Sequence, residues 1–289
     1  MHSISVMTFA ERRMDMKGKM AAILLASVML CSCSEAEDVT SGSGNMKGIF
    51  KSMAEMTQAG IDLAALSAEK HGYGQGVQLD AENRPLGALD FNRQYGRYGA
   101  RAIDENDSKT IRLTFDEGYE NGFTPGILDV LKEKGVKAEF FVLDDYVRKN
   151  PGLVRRMIDE GHTVGNHSVN HYSMPDLSAS ECRDEIMGLH EYIKEEFGYE
   201  MTEFRPPMGE FSELSLAVAQ QCGYKTVLWS YAYADWDVND QMPPDQALDK
   251  LKTALHKGAI YLLHPVSSTN AQILADFIDY ALSQGYEFV

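Results

Sequence analysis

Residues 110–143 read TIRLTFDEGYENGFTPGILDVLKEKGVKAEFFVL, and this stretch decides the fold class. It contains a short apolar run at Thr110–Phe115, an amphipathic run at Thr124–Lys134 and a second apolar run at Ala138–Leu143. The short runs predict strands, and the spacing of the apolar residues between them predicts a helix. Gly135 follows that helix directly, where a left-handed backbone favours glycine. The unit therefore predicts two parallel strands joined by a covering helix.

The same alternation of short apolar runs and amphipathic runs continues to the end of the sequence. Each predicted helix is followed by a glycine at or near its end. The seven predicted strands are Thr110–Phe115, Ala138–Leu143, Thr163–Asn166, Glu203–Pro206, Lys225–Ser230, Ala259–Leu263 and Tyr286–Val289. The predicted helices are Thr124–Lys134, Gly152–Glu160, Ser178–Phe197, Ser212–Cys222, Asp245–His256 and Asn270–Gln284. This pattern predicts an α/β fold, a distorted seven-stranded (β/α) barrel that is one strand short of the closed form.

The first residues of the chain have the features of a secretory signal. Residues 1–33 combine basic side chains, the apolar run Met20–Leu30 and an exit rich in small residues, with Met16 as the expected start. The apolar run is shorter than the ~20 residues that a membrane span needs. The string LCSC that ends at Cys33 resembles a bacterial lipobox. We therefore expect a lipid anchor on the extracytoplasmic face of the membrane, with simple secretion as the alternative.

Two further segments precede the alternating region. Residues 34–45 are acidic and rich in Ser and Gly, which is typical of a flexible tether. Residues 46–108 form an N-terminal extension: 46–70 has the apolar periodicity of a helix, and 71–107 is rich in Gly, Tyr and Asn and predicts irregular structure. Residues 109–289 are the expected main domain.

The charge of the chain limits the classes of partner. The sequence has 27 Lys and Arg against 43 Asp and Glu, a formal net charge of −16. Nucleic acid recruits basic side chains to its phosphates, and anionic lipid headgroups do the same. We therefore expect neither nucleic acid nor electrostatic membrane binding, and a neutral sugar or peptide substrate fits the charge better.

Polar side chains follow five of the predicted strands, close to the point where each strand ends. The carboxyl ends of the strands in an α/β barrel share one face, so residues distant in sequence converge there. Two carboxylates, two histidines at metal-ligand spacing, an arginine and a further histidine are the parts of a metal-assisted hydrolase. The clusters are Asp116-Glu117, His167 with His171, Arg205-Pro206-Pro207, Asp235-Trp236 and His264.

The paired histidines predict a metal site more strongly than the other clusters do. His167 and His171 are four residues apart, so both imidazoles can reach one cation from the same side of a helical turn. A nearby carboxylate would complete a mixed nitrogen and oxygen site of the kind that zinc accepts. Such a pair also occurs on surfaces and in cores, and Asp-Glu-Gly by itself is typical of a turn.

Two other segments suit the edge of a catalytic site. In the string RPPMG at residues 205–209, two prolines fix the backbone and can hold a chosen N–H group against a ligand. His264 ends a largely apolar strand, where it is either a general acid or a satisfied core histidine.

Taken in order, these motifs resemble those of the polysaccharide deacetylases with the NodB-homology domain. The resemblance covers about residues 109–289 and includes TFDEG, the spaced histidines, RPPMG, Asp-Trp and Leu-His-Pro. The strings RPPMGEFSE and WSYAYADWDV look most like the delta-lactam-forming muramic acid deacetylases of spore-cortex peptidoglycan. The resemblance implies a sporulation enzyme that removes the acetyl group of muramic acid before lactam closure.

The resemblance also implies roles for single residues. Asp116 would be the general base that deprotonates water, and His264 would protonate the leaving amine. Asp235 and Arg205 would orient and tune these groups. The backbone N–H of Met208 would help to hold the tetrahedral oxyanion.

A divalent metal, with zinc expected, is implied by the same resemblance. Its ligands would be Glu117, His167 and His171. The family has an aspartate at the position of Glu117, and its Asp-x-x-Asp-Trp motif has an aspartate where this chain has Ala232. Glutamate keeps the charge and the oxygen donor but reaches one methylene further, so we expect altered metal affinity within the same reaction class.

Other interpretations remain alongside this one. The substrate could be a chitin-like or xylan-type glycan, or the protein could be a glycan-binding lipoprotein with weakened catalysis. A binding protein has no need to keep Asp116, His167, His171 and His264 together, which favours the enzyme. A glycosidase with paired carboxylates would leave both histidines without a role.

Overall fold

The computed structural model describes residues 61–106 and 108–289. The predicted signal segment 1–33, the tether 34–45 and the start of the extension lie outside these residues. In chain order the strands are β1 His71–Gly72, β2 Ala100–Arg101, β3 Thr110–Glu117, β4 Glu139–Val142, β5 Thr163–Asn166, β6 Glu203–Phe204, β7 Glu210–Phe211, β8 Lys225–Val227, β9 Ala259–Leu263 and β10 Glu287–Phe288. The α-helices are α1 Leu86–Tyr95, α2 Thr124–Lys134, α3 Asp144–Lys149, α4 Pro151–Asp159, α5 Ala179–Phe197, α6 Glu213–Gln221, α7 Pro244–Thr253 and α8 Ser268–Ser283.

The predicted α/β architecture is confirmed, because seven parallel strands form a curled half-barrel. Strands β3, β4, β5, β6 and β8 follow one another across the sheet, and β9 and β10 both pair with β3. The longest register joins β3 to β9, from Ile111 with Ala259 to Phe115 with Leu263. Parallel neighbours require crossover connections, which the helices supply.

The predicted elements are present, with ends that shift by a few residues. Strand β6 stops before Pro206, which has no N–H group to give to a sheet ladder. Helix α3 is an additional element that the sequence pattern did not predict. The glycines that end the predicted helices all have φ between 67° and 87°, which confirms their role as left-handed stops: Gly135, Gly161, Gly198, Gly223, Gly258 and Gly285.

The extension has more regular structure than the sequence predicted. Residues 61–70 contain the short 3-10 turn Leu63–Ala65 where a helix was predicted. Residues 71–106 contain α1, β1 and β2 in place of irregular chain. In α1 the buried residues are Ala88 and Phe91, too few to give a clear helical period in the sequence. Phe91 packs instead in an aromatic cluster with Phe211 of the barrel.

Part of the extension occupies the position of the missing eighth strand. Strand β2 pairs in parallel with Thr226 and Val227 of β8. The Asp104 N–H then donates to the Gly258 carbonyl at 2.9 Å, directly before β9. A Cβ at Gly258 would lie 1.8 Å from the Asp104 oxygen, so this approach requires glycine. The extension therefore bridges β8 and the amino end of β9.

The main hydrophobic core lies where the helices pack against the curved sheet. Phe115 of β3 and Phe140 of β4 stack there with ring centroids 5.2 Å apart. Residues on the core-facing sides of α2, α5 and α8 are buried against the same cluster. Within residues 61–106 and 108–289, none of the helices has the length and apolar character needed to cross a bilayer.

Candidate active site

Seven of the eight predicted site residues surround or directly support one cavity at the carboxyl ends of the parallel strands. The cavity has a volume of about 590 Å³. Strand ends β3, β5, β6, β8 and β9 or the loops after them supply its lining. The lining residues are Tyr73, Asp116, His167, His171, Met208, Gly209, Trp229, Ala232, Tyr233, Trp236, Leu262 and His264.

Asp116 and Glu117 lie on opposite sides of their strand. Strand β3 continues through Glu117, and successive side chains of a strand point to opposite faces. Asp116 lines the cavity, whereas Glu117 is fully buried with its carboxylate oxygens 3.4 Å from the Thr124 hydroxyl of α2. The structure therefore does not bring Glu117 to the two histidines. The sequence predicted that the strand ends at Phe115 and that both carboxylates lie in the turn after it. The strand instead continues to Glu117.

The surroundings of these two carboxyl groups differ accordingly. Burial, with a contribution from Glu120, raises the pKa of Glu117 well above its ordinary value. Burial would also raise the pKa of Asp116, but the Arg205 guanidinium and the nearby His167 and His264 hold it below its ordinary value. Asp116 is therefore the carboxyl group that stays ionised beside the cavity.

Arg205 holds Asp116 from beneath the cavity floor. Its side chain is fully buried, and one terminal nitrogen donates to Asp116 Oδ1 at 2.7 Å. Two further donors reach the backbone carbonyls of Val227 at 3.0 Å, at the end of β8, and of Leu228 at 3.2 Å, directly after it. The guanidinium also lies 4.1 Å above the ring of Phe141. With three hydrogen bonds made and its plane packed, Arg205 fixes the direction in which Asp116 points.

His167 and His171 form the second wall of the cavity. His167 Nδ1 lies 2.8 Å from the Arg205 carbonyl, so in the neutral ring Nδ1 carries the proton and donates it to that carbonyl. The other ring nitrogen, Nε2, is then free and lies 3.6 Å from Asp116 Oδ2. The two imidazole rings are 5.0 Å apart. Burial lowers the pKa of His167 to about 4 and also lowers that of His171. Both rings are therefore neutral near pH 7, which is the form that binds a metal.

The donor set fits a cation in part. Two neutral imidazoles with a carboxylate beside them are suitable nitrogen and oxygen donors for a divalent metal. Across residues 61–106 and 108–289, no three His, Cys, Asp or Glu side chains are grouped closely enough to form a complete site. Because Glu117 points away, the expected set of three ligands is not brought together, and the two histidines remain, with Asp116 Oδ2 3.6 Å from His167.

The buried Asp235 and the partly exposed His264 form a pair on the opposite wall. Asp235 Oδ1 lies 2.7 Å from His264 Nδ1, and Oδ2 accepts the His264 backbone N–H at 2.8 Å. This leaves His264 Nε2 as the free ring nitrogen. Burial would lower the pKa of His264, but the hydrogen bond and charge of Asp235 outweigh it and raise the pKa above its ordinary value. The ring of Trp236 lies 5.9 Å away, edge to face, at the exposed rim.

Met208 lies on the turn that follows Arg205. Its backbone has a φ of 59°, in the left-handed region, and its side chain is half exposed on the cavity wall. Pro206 and Pro207 precede this turn, and Gly209 follows it with a φ of 65°. A Cβ at Gly209 would lie 2.8 Å from the Trp229 ring, so the turn packs closely on that side chain.

Sequence reasoning missed several residues that contact this site. Tyr73 of the extension and Trp229 line the cavity. Glu185 of α5 accepts the backbone N–H of Asn170, between the two histidines, at 2.7 Å. Asn270 of α8 donates to Asp235 Oδ2 at 2.5 Å. Each of these residues contacts the site through residues that are not its neighbours in sequence, and no local sequence pattern predicts such a contact.

Comparisons with known proteins agree with the fold and identify the family. The sequence model of the polysaccharide deacetylase family matches residues 103–227. The Bacillus subtilis peptidoglycan-N-acetylmuramic acid deacetylase PdaA is 42% identical over 205 residues, covering 71% of this chain and 78% of that protein. The solved structure of PdaA, a family 4 carbohydrate esterase, has a TM-score of 0.73 and 39% identity, and the match covers 77% of this chain and 95% of that one.

A second solved structure extends the comparison. A family 4 carbohydrate esterase from Bacillus anthracis has a TM-score of 0.65 and 36% identity, with 78% of this chain and 95% of that chain covered. The half-barrel is thus shared with solved family 4 carbohydrate esterases, and the resemblance seen in the sequence is confirmed. The chain belongs to the polysaccharide deacetylase family.

Proposed function

We propose that this protein is a metal-dependent N-deacetylase of peptidoglycan that removes the acetyl group of N-acetylmuramic acid ahead of delta-lactam formation. The observation that carries the proposal is the pairing of Asp116 and His264 across one cavity, each held by its own buried partner. The identity of 42% to a peptidoglycan-N-acetylmuramic acid deacetylase supports this sugar as the substrate.

The proposed reaction hydrolyses an amide. Asp116 takes a proton from water, whose oxygen then bonds to the acetyl carbon. The Met208 N–H donates to the oxyanion that forms on that carbon. His264 gives its proton to the sugar nitrogen as the carbon–nitrogen bond breaks, which releases acetate and a free amine. The opposite pKa shifts of Asp116 and His264 suit these roles, because the base starts ionised and the acid starts protonated.

His167 and His171 are the residues that would hold the metal. Deacetylases of this family are generally metal-dependent. A divalent cation bound there, with zinc as the proposed ion, would lower the pKa of water and polarise the acetyl group. The neutral state of both imidazoles and the position of Asp116 beside His167 support binding here.

The proposed location is the outer face of the membrane. Peptidoglycan deacetylases act outside the cytoplasm. The LCSC string at Cys33 supports a lipid anchor, since two acyl chains hold a protein stably at a membrane. Replacing Cys33 by serine should move the protein from the membrane fraction to the soluble fraction. An unmodified Cys33 in the mature protein, seen by mass spectrometry, would favour simple secretion.

Acetate release from purified peptidoglycan tests the proposed function. We expect release by the intact protein, loss of release with a chelator, and recovery after a divalent metal is added back. His167→Ala should contain less metal by elemental analysis and release less acetate, while the near-UV circular dichroism of the fold is retained. Release from chitin-like or xylan-type glycans but not from peptidoglycan would favour another deacetylase. No release from any of these glycans would favour a glycan-binding protein.

A further inference from the structure

We propose that Tyr73 is a positioning residue of the deacetylation reaction, acting from a segment of the extension that holds one wall of the catalytic cavity. This segment, residues 70–76, is here named the N-terminal strap. The inference rests on the proposed function for its effect on turnover. The structural claim, that the strap fixes the cavity wall in place, depends only on contacts between the strap and the loops at residues 206–209 and 229–232.

The strap first holds the turn that carries Met208. Strand β1 pairs antiparallel with β7, which joins Gly72 to Glu210 directly after that turn and His71 to Phe211. The Tyr73 N–H then donates to the Gly209 carbonyl at 2.9 Å. The backbone on the carboxyl side of the Met208 turn is therefore bound to the strap rather than to the barrel.

The strap also holds the loop that follows β8. The Tyr73 hydroxyl donates to the Trp229 carbonyl at 2.6 Å. Gln75 accepts the Trp229 indole N–H at 3.0 Å and donates to the Ala232 carbonyl at 3.1 Å. Trp229 and Ala232 line the catalytic cavity, as Tyr73 itself does. Three hydrogen bonds from two strap residues thus fix both ends of this short loop.

The two loops are in contact with each other through Trp229. The rings of Tyr73 and Trp229 meet edge to face at 5.2 Å, and Trp229 also packs on Gly209, where no side chain would fit. The Arg205 guanidinium lies 5.9 Å from the same indole ring. A displacement of the strap would therefore move the Met208 N–H and disturb the support of Arg205. Oxyanion donors act only within about 0.5 Å of their required position, so such a displacement would lower turnover.

The strap lies outside the part of the chain that the family model matches. The family model matches residues 103–227, and the strap precedes that region. The chain therefore completes a wall of its catalytic cavity with residues that the family model does not include. Lys70 adds a partly exposed contact to Glu210 at 3.2 Å, but such surface pairs contribute little.

The test compares two variants that each remove one hydroxyl from an aromatic residue of the extension. Tyr73→Phe removes the hydrogen bond to the Trp229 carbonyl and leaves the ring. Tyr95→Phe is the matched control, because its ring packs on Phe91 and Phe211 in the same aromatic cluster but lies outside the cavity. We expect Tyr73→Phe to lower kcat roughly tenfold with little change in KM, the scale set by one lost hydrogen bond. The control should keep wild-type kcat and KM.

A second measurement does not depend on activity. The chain contains two tryptophans, so in a Trp236→Phe background Trp229 is the single fluorescent reporter. We expect Tyr73→Phe to red-shift its emission, because the loop is released toward solvent, and Tyr95→Phe to leave the emission unchanged. Metal content should be unaltered in Tyr73→Phe, since the hydrogen bond that it removes involves neither His167 nor His171.

The outcomes separate the strap from the proposed function. Wild-type kcat in Tyr73→Phe, or an equal loss in Tyr95→Phe, would overturn the positioning role. If the intact protein releases no acetate from any glycan, the proposed function fails and the positioning role in deacetylation fails with it. The fluorescence result then still decides the structural part: unchanged Trp229 emission overturns the hold on the loop, and a red shift supports it.

Discussion

At the scale of single residues, the site depends on which side of a strand each carboxylate occupies. Asp116 and Glu117 are adjacent, yet one faces the cavity and the other is buried against α2. Their pKa values shift in opposite directions. The Arg205 cation lowers the pKa of Asp116, whereas burial and the charge of Glu120 raise the pKa of Glu117. Position on the strand, rather than residue type, assigns the chemistry.

This assignment predicts unequal effects of two similar substitutions. Asp116→Asn keeps the side-chain shape but removes the base, so turnover should fall roughly 10²–10⁴-fold. Glu117→Gln resembles the protonated acid that burial favours and should keep most of the activity and bound metal. Steady-state acetate release and elemental analysis measure both. Equal losses in the two variants would contradict the assignment, and loss of metal in Glu117→Gln would restore Glu117 as a ligand.

The pairing of Asp235 with His264 predicts the alkaline limit of activity. The raised pKa of His264 keeps the acid protonated to higher pH, and the lowered pKa of Asp116 keeps the base ionised to lower pH. Activity should therefore follow a bell-shaped pH profile. Asp235→Asn removes the charge that raises the pKa of His264, so the alkaline limb should move to lower pH. Asp237→Asn, an exposed carboxylate two residues further on, is the control and should leave both limbs in place.

At the scale of secondary structure elements, α5 organises the loop that carries the two histidines. Its first turn is closed by a capping box between Ser178 and Glu181. Within the helix, the Glu185 carboxylate accepts the Asn170 backbone N–H, and the Glu185 carbonyl accepts the Val169 N–H at 3.1 Å. Because His171 has a left-handed backbone with a φ of 58°, this loop needs such external support.

Glu185→Ala should therefore weaken the metal site without contacting the metal. Residues that orient metal ligands commonly change affinity by roughly 10–100-fold, and a loss of this size is the expected result. Asp184→Ala is the matched control, since it removes the same charge from the neighbouring exposed position of α5. Titration of the metal-free protein with zinc measures the affinity of each variant. Equal affinities in the two variants would show that Glu185 has only a structural role.

At the scale of the whole molecule, the barrel closes through contacts between β9 and the chain that follows β8. Ser230 Oγ accepts the Ile260 N–H at 2.9 Å and donates to His256 Nε2 at 2.7 Å, while His256 Nδ1 donates to the Ala254 carbonyl at 2.7 Å. Burial lowers the pKa of His256 to about 4, so the ring stays neutral in the folded protein. A protonated ring could no longer accept from Ser230.

This contact predicts a loss of stability in mild acid. The unfolded chain takes up a proton at His256 near pH 6.5, whereas the folded chain resists it until about pH 4. The free energy of unfolding should be largest above pH 6.5 and fall between pH 6.5 and 4, with His256 contributing on the order of 3 kcal/mol. Urea unfolding across this range measures the slope. His256→Gln should be less stable at pH 7 but show a shallower slope, and an unchanged slope would contradict the assignment.

Much of the fold was predictable from the sequence because its signals are local. Strand and helix periods depend on neighbouring residues, and each helix-ending glycine has the positive φ that its position predicted. The grouping of Asp116, His167 and His264 followed from one general property of parallel barrels, that strand ends share a face. The order of those motifs was sufficient to indicate the family.

The tertiary structure alone decided the details that depend on distant contacts. That β3 runs on to Glu117, which turns this residue away from the histidines, depends on its pairing with β4 up to Val142. That the extension supplies a strand and a cavity wall depends on contacts such as Tyr73 with Trp229, 156 residues apart. The free energy of such contacts comes from surfaces that meet only after folding, so no local pattern carries their signature.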